Sequence, residues 1–102
     1  MSQLTFHFEW DTKKARTNQV KHGVSFRLAM SVLRDPLAVT VYDEEHSDYE
    51  ERWVTLGLAS NGQCLVVIHT VTQTSQTDML VRIISARLAD REEQRDYEEM
   101  PR

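Results

Sequence analysis

A histidine, a glutamate and an arginine stand close together at the end of an acidic segment: His46, Glu50 and Arg52. A histidine beside a carboxylate can act as a general acid or base near neutral pH. An arginine next to them can hold a phosphate group through paired hydrogen bonds. Metal-free cleavage of RNA requires these functions: a base for the 2′-hydroxyl, positive charge for the phosphorane and an acid for the leaving oxygen. By spacing alone, a solvated acidic loop explains the same residues.

Two further arginines, Arg82 and Arg87, lie within a stretch that is otherwise typical of a buried strand, residues 79–87. The stretch contains β-branched apolar residues and no Gly or Pro. Buried strands rarely carry arginine without a partner or a ligand. Asp90 and Glu93 then have the spacing of a helix-capping box. The arginines therefore predict a cationic strand end that could bind a phosphate; pairing with the acidic segment is the alternative.

Lys21 and His22 form a third candidate group, because they precede Gly23 at the predicted end of a helix. Cations exposed at this position could receive a bound anion. They also stabilise a helix by about 0.3–1 kcal/mol through its dipole, so a purely structural explanation stays open. His69 lies inside an apolar stretch, where the expected role is that of a hydrogen-bonded core histidine.

The sequence contains no pattern for a metal or a nucleotide cofactor. Cys64 is the lone cysteine, so it has no partner at zinc spacing, and the three glycines form no phosphate-binding loop. We therefore expect neither a metal nor a cofactor. No apolar run approaches the ~20 residues of a membrane span, and the N-terminal residues lack the features of a signal peptide. These observations predict a cytoplasmic protein that does not contact a membrane.

The charges are unevenly distributed over the 102 residues, whose formal net charge is −4. Residues 1–34 carry six Lys/Arg against two acids, whereas residues 35–51 carry seven acids and no Lys or Arg. A net negative charge argues against broad, non-specific binding of nucleic acid. The basic first third and the acidic middle could still form a positive groove beside a negative wall; two solvated faces are the alternative.

The hydrophobic pattern predicts a single domain over residues 1–102, with its elements in the order β-α-α-β-β-β-β-α. Asp11 and Ser25 are suited to cap the first two helices, and Ser60-Asn61-Gly62 predicts a hairpin turn. Short connections favour antiparallel neighbours. We therefore expect a small antiparallel sheet with two N-terminal helices and a C-terminal helix, an α+β fold. The predicted elements cover 5–9, 12–22, 26–34, 38–42, 52–58, 64–72 and 79–87, followed by the helix that Asp90 caps.

Taken in order along the chain, these residues resemble the BrnT family of toxins from bacterial type II toxin–antitoxin pairs. The resemblance depends most on two blocks, Lys21-His22-Gly23-Val24 and Ile84-Ser85-Ala86-Arg87, and it extends over nearly the full chain. The other matching positions are Phe8-Glu9-Trp10-Asp11, Lys14, Asn18, Ser25, Phe26, Ala29, Asp35-Pro36, Asp43, His46-Ser47, Glu50, Arg52, Gly57, Arg82, Ile83, Ala89, Glu93 and Tyr97.

The resemblance implies a RelE-like fold, which agrees with the predicted element order, and a ribonuclease that stops translation. It also implies a BrnA-like antitoxin with a ribbon-helix-helix domain that binds DNA, so that the toxin contacts DNA only indirectly. We expect metal-independent cleavage of RNA on this basis. The scissile phosphate would be bound by Arg82, Arg52 and Lys21, with Arg87 in support.

Proton transfer would be carried out by His46, helped by Glu50, with His22 as the competing choice. Two features depart from the expected family pattern: the segment 73–78 is uncharged except for Asp78, and the final helix is rich in acids. The alternative function is a catalytically inactive, toxin-like binding module that acts as antitoxin partner and co-repressor, which the acidic balance favours. A stand-alone metabolic enzyme has no pocket signature in the sequence.

Overall fold

Five strands, three α-helices and one 3₁₀ turn make up the structure, a computed structural model that describes residues 3–101. The predicted order of elements is confirmed. The second helix is shorter than predicted, because the hydrogen bonds of Leu33 and Arg34 reach back only three residues, as in a turn. The strands are β1 (Thr5–Glu9), β2 (Val39–Tyr42), β3 (Trp53–Leu58), β4 (Cys64–Gln73) and β5 (Asp78–Leu88). The helices are α1 (Thr12–His22), α2 (Phe26–Val32) and α3 (Arg91–Glu99), and the 3₁₀ turn covers Glu44–His46.

The strands form one mixed sheet in the order β1-β5-β4-β3-β2, so β4 is the middle strand. Neighbours from β2 to β5 pair antiparallel, but β1 pairs with β5 in parallel, with Glu9 beside Arg82. The expectation of a purely antiparallel sheet is wrong at this pair. Short connections make the strands from β2 to β5 alternate in direction, whereas β1 reaches β5 only through the rest of the chain, so its direction is not fixed by a hairpin.

Helix α2 covers one face of the sheet. Asp11 and Ser25 cap the first two helices as predicted, because their side chains accept hydrogen bonds from Lys14 N and Leu28 N at 3.0 Å each. Alternate strand residues lie on the opposite face, which we call the open face; it includes Thr70 of β4 and Arg82 of β5. The core between α2 and the sheet contains Val24, Phe26, Ala29, Val32, Ala59, Leu65, Val67, Ile83 and Ala86.

A bulge in β5 decides which of its residues reach the open face. The pairing register shifts between Ile68 and His69, and Ile84 is the extra residue in β5. In a regular strand, Arg82 and Arg87 are an odd number of positions apart and would face opposite sides of the sheet. The bulge brings both arginines to the open face.

Asn18 fastens α1 to the edge of β5 beyond the end of β1. Its amide nitrogen donates to the backbone oxygens of Val24 and Ala86 at 2.9 Å each, and its oxygen accepts from Ala86 N at 3.1 Å. The side chain thus satisfies backbone groups that a neighbouring strand would otherwise pair. As a result, the basic side of α1 lies beside Ser85.

Candidate active site

Glu50 joins Arg52 and Arg82 on the open face. Glu50 Oε2 accepts a hydrogen bond from Arg82 Nη2, and Glu50 Oε1 lies 3.5 Å from Arg52 Nη2. Arg52 directly precedes β3, and Arg82 lies in β5 opposite Thr70 of the strand between them. Arg82 therefore meets two predicted site residues that lie about thirty positions earlier in the sequence, with two guanidinium groups around one carboxylate.

His46 lies beside this cluster, but the carboxylate bonded to it belongs to Asp43. His46 Nδ1 is 3.0 Å from Asp43 Oδ2 and 3.2 Å from Oδ1. Asp43 is 16% exposed and His46 63% exposed, so the carboxylate is the better-fixed partner. When Nδ1 carries the proton shared with Asp43, Nε2 remains free to accept one. His46 lines a cleft of about 200 Å³ together with Glu50 and Arg52.

Asp43 is thus a candidate site residue whose pairing with His46 the sequence did not predict. The signal was available, because Asp43 and His46 are three residues apart and a helical turn brings such positions together. The sequence did not single out Asp43 as the partner, because several carboxylates lie close to His46 along the chain.

The loop between β2 and β3 has its own hydrogen bonds, which hold these residues in place. Asp43 N donates to Arg52 O at 2.9 Å, which extends the pairing of the two strands by one step. Ser47 Oγ donates to Asp43 O and accepts from Arg52 N at 3.0 Å. A hydroxyl that links both ends closes the loop. Residues 43–51 of the acidic segment therefore form a hydrogen-bonded loop that places His46 and Glu50 beside Arg52.

Arg87 also lies on the open face, but its guanidinium group has a structural partner. Nη1 and Nη2 donate to the two carboxylate oxygens of Glu93 at 2.8 and 2.9 Å. Glu93 completes the predicted capping box with Asp90 at the start of α3. The hydrogen bond from Arg87 holds the pKa of Glu93 below its usual value, and the same bond raises the pKa of Arg87. Arg87 therefore fastens α3 to β5.

Lys21 and His22 lie in a separate cleft of about 290 Å³ between α1 and β5. Two further lysines of α1 and Ser85 line the same cleft. Within residues 3–101, none of these three lysines forms an ion pair. Ser85 comes between Arg82 and Arg87 along β5, but neither arginine lines the basic cleft. Neither Lys21 nor His22 is among the described partners of Arg82.

His69 has the core role expected of it. It is 3% exposed, and its Nε2 lies 2.7 Å from Thr55 Oγ1. Burial lowers the pKa of His69, so the neutral ring is favoured. The cavity beside it, about 530 Å³, lies on the other face of the sheet from Arg82 and is lined by none of the predicted site residues.

The thiol of Cys64 is not activated, because burial raises its pKa, and the carboxylate of Glu93 acts in the same direction. Across residues 3–101, no group of three or more His, Cys, Asp and Glu side chains could hold a metal ion. No helix in the same part of the chain is long and apolar enough to cross a membrane.

The match to a known protein family covers all the residues of this candidate site. The pattern that defines the family described as "Ribonuclease toxin, BrnT, of type II toxin-antitoxin system" matches residues 10–93. The chain belongs to the BrnT toxin family. The matched range contains every predicted site residue and Asp43 as well. Membership of a type II toxin–antitoxin family implies that an antitoxin is the partner of this BrnT toxin.

A solved structure has the same fold as this BrnT family member. It is the 1.1 Å crystal structure of the Brucella abortus ribonuclease toxin, BrnT, with a TM-score of 0.53. The match covers 85% of this chain and 100% of that chain at 22% sequence identity, so the likeness concerns the fold alone. It supports the predicted α+β, RelE-like fold class. The search of curated proteins gave no match.

Proposed function

We propose that this BrnT family member is a metal-independent endoribonuclease whose phosphate site lies between Arg52 and Arg82. The observation that carries the proposal is the pairing of two guanidinium groups around one anion on the open face. Planar guanidinium groups match the oxygens of a phosphate in geometry and charge. A site that holds one carboxylate between two arginines therefore has donors for the two non-bridging oxygens of a phosphodiester.

His46 is the proposed general base. Its Nε2 accepts the proton of the 2′-hydroxyl, while Asp43 at Nδ1 stabilises the imidazolium that forms. The 2′-oxygen bonds to phosphorus, the bond from phosphorus to the 5′-oxygen breaks, and the leaving oxygen takes a proton from water. The hydroxide that remains takes the proton back from His46 Nε2, which restores the base. Arg52 and Arg82 stabilise the negative charge of the phosphorane. The products are a 2′,3′-cyclic phosphate and a 5′-hydroxyl end.

The basic cleft of α1 is proposed to bind the RNA on one side of the scissile phosphate. Lys21 and His22 would contact neighbouring phosphates there, next to Ser85. Because such contacts are mainly electrostatic, they add affinity without sequence preference. Arg87 supports the site indirectly by holding α3 on β5. His22 remains the competing choice for proton transfer.

Cleavage of RNA would inhibit translation, as the resemblance to the family implies. We further propose that the antitoxin is BrnA-like, with a ribbon-helix-helix domain that contacts DNA on behalf of the pair. The open face is the natural target of neutralisation, since it carries the proposed catalytic groups and α2 packs on the opposite face.

The first test is cleavage of total RNA by the purified chain with EDTA present. We expect wild type to cleave, Arg82→Ala to lower the rate by about a hundredfold or more, and His46→Ala to lower it by a similar factor. Arg95→Ala is the matched control, because Arg95 is exposed on α3 and the removal of its charge should leave the rate unchanged. Circular dichroism establishes that each variant is folded.

Full activity of Arg82→Ala would show that the phosphate site lies elsewhere. Cleavage that stops when EDTA is added would contradict metal independence. Equal losses of cleavage rate in Arg82→Ala and Arg95→Ala would show that the effect comes from overall charge and not from a phosphate site.

The inactive binding module is the second candidate, and one observation favours it. Arg52 and Arg82 contact Glu50, and Arg87 contacts Glu93, so all three arginines of the site already have internal carboxylate partners. Folded wild type that binds its antitoxin but cleaves no RNA, with or without ribosomes, would support this function and overturn the nuclease.

A further inference from the structure

We propose that Glu50 is a displaceable anion that occupies the phosphate site of the free protein. RNA would bind by exchanging its phosphate for the Glu50 carboxylate at Arg82 and Arg52. The inference rests on the proposed function and deepens it, because it adds a control of substrate entry to the same site.

The Glu50 carboxylate occupies the position proposed for the phosphate of the RNA. Each oxygen of Glu50 faces a different arginine: Oε2 accepts from Arg82, and Oε1 faces Arg52. A phosphodiester likewise presents two non-bridging oxygens that carry its charge. The carboxylate and the phosphate would use the same donors, so both cannot be bound at once.

Arg52 has unused capacity for an incoming anion. Its Nε is buried and has no hydrogen-bond partner among the described residues. Its Nη2 is 3.5 Å from Glu50 Oε1, which is long for a charge-assisted hydrogen bond. A buried N–H without a partner is unfavourable. A phosphate that accepts hydrogen bonds from these N–H groups of Arg52 would therefore supply interactions that Glu50 does not.

Glu50 can leave without unfolding the loop that carries it. The hydrogen bonds that close the loop involve Asp43, Ser47 and Arg52, and none of them uses the Glu50 side chain. The carboxylate is 36% exposed and Arg82 is 44% exposed, so water and salt weaken their attraction. The free-energy cost of replacing the Glu50 carboxylate with a phosphate from solution is therefore small.

Glu93, the other internal carboxylate of the open face, lacks this freedom. Its Oε1 also accepts a hydrogen bond from Asp90 N at 2.9 Å, and its backbone N–H donates to Asp90 Oδ1 at 2.8 Å. Displacement from Arg87 would therefore disturb the start of α3. The two arginine pairs differ in kind, and the pair at Glu50 is the one suited to exchange.

The test is binding of a 2′-O-methyl oligoribonucleotide, which lacks the hydroxyl needed for cleavage, measured by fluorescence anisotropy. Glu50→Gln should bind about three- to fivefold more tightly than Glu51→Gln. Glu51 is the matched control, because it is the next residue and has no ion pair among the described residues. Together with Glu50 and Arg82 it lines a second cleft, of about 550 Å³. Equal or weaker binding by Glu50→Gln, with both variants folded, would overturn the proposal.

The gain must also depend on Arg82. In an Arg82→Ala background, Glu50→Gln should tighten binding much less, since only the longer contact with Arg52 then remains for the carboxylate to block. A gain of unchanged size would show that only net charge matters and would overturn the exchange. Cleavage of unmodified RNA is read separately. Tighter binding without cleavage in any variant refutes the nuclease alone, whereas cleavage without tighter binding refutes the exchange alone.

Discussion

Arg82 and Arg87 are the same residue type on the same face of β5, yet their carboxylate partners differ in kind. Glu50 contacts Arg82 and Arg52 from a loop and caps no helix among the described contacts. Glu93 contacts Arg87 through both oxygens and also caps α3. Arg82 is therefore available for a ligand, whereas Arg87 has a structural role, because it holds α3 on β5. At the scale of the residue, the partner decides the role more than the residue type does.

Asp43 is predicted to be a positioning residue for His46. Asp43→Asn should lower kcat for RNA cleavage by about tenfold and leave KM nearly unchanged, because the amide no longer stabilises the imidazolium and can favour the wrong tautomer. The measurement is steady-state cleavage of a short RNA, from which kcat and KM are obtained separately.

Asp48→Asn is the control for this substitution. Asp48 lies in the same loop and lines the same cleft, but no hydrogen bond joins it to His46 among the described contacts. If both variants lose activity equally, the effect comes from loop charge and not from positioning.

At the scale of the element, three connections assemble the site. The β2–β3 loop carries His46 and Glu50, the bulge at Ile84 brings both β5 arginines to one face, and α3 is held by the Arg87–Glu93 pair. The elements themselves depend on local sequence, whereas the site depends on these connections.

Glu93→Gln should reduce stability in a pH-dependent way. The pKa of Glu93 is lowered in the folded state, so its ionised form stabilises the fold above the ordinary carboxyl pKa, and this contribution is lost as pH falls through the folded value. After allowance for solvent exposure, we expect a loss of about 0.5–1 kcal/mol near pH 7. The loss should shrink below about pH 4.

Thermal unfolding of wild type and Glu93→Gln from neutral to acid pH measures this effect. Glu92→Gln is the matched control, because Glu92 is exposed in the same helical turn and has no described hydrogen bond to Arg87. A difference between wild type and Glu93→Gln that stays constant with pH would contradict the linkage to ionisation.

At the scale of the whole molecule, the fold separates an apolar, helix-covered face of the sheet from the open face that carries the candidate site. Helix α2 buries the apolar side chains of the sheet, and the open face carries the arginines. The negative charge of segment 35–51 is compatible with the cluster of arginines, because its Glu50 is an ion-pair partner of Arg52 and Arg82. The net charge of −4 therefore conceals a local cationic cluster and a lysine-lined cleft on α1.

Asn18 is predicted to hold the helix α1 on the sheet, and through it the basic cleft. Asn18→Ala should lower the free energy of unfolding by about 2–3 kcal/mol, since it leaves backbone groups of Val24 and Ala86 without partners. Urea denaturation measures the change. Gln19→Ala is the control, because Gln19 is exposed on the same helix. Equal stability of the two variants would show that apolar packing alone holds α1.

The sequence by itself determined the features that depend on near neighbours in the chain. The caps at Asp11, Ser25 and Asp90 follow from hydrogen bonds over three residues, and the apolar periodicity fixed the order and most bounds of the elements. It also carried the family resemblance, which the match over residues 10–93 confirms. The arginine and histidine candidates were visible as residue types, but their partners were not.

Only the tertiary structure decided which groups meet. The parallel direction of β1, the bulge at Ile84 and the position of Glu50 between two arginines depend on contacts between residues far apart in the chain. No local pattern encodes such contacts, because a strand pairs equally well in several registers until the whole core selects one. The same selection brings Arg52 and Arg82 around one carboxylate and thereby makes them a candidate phosphate site.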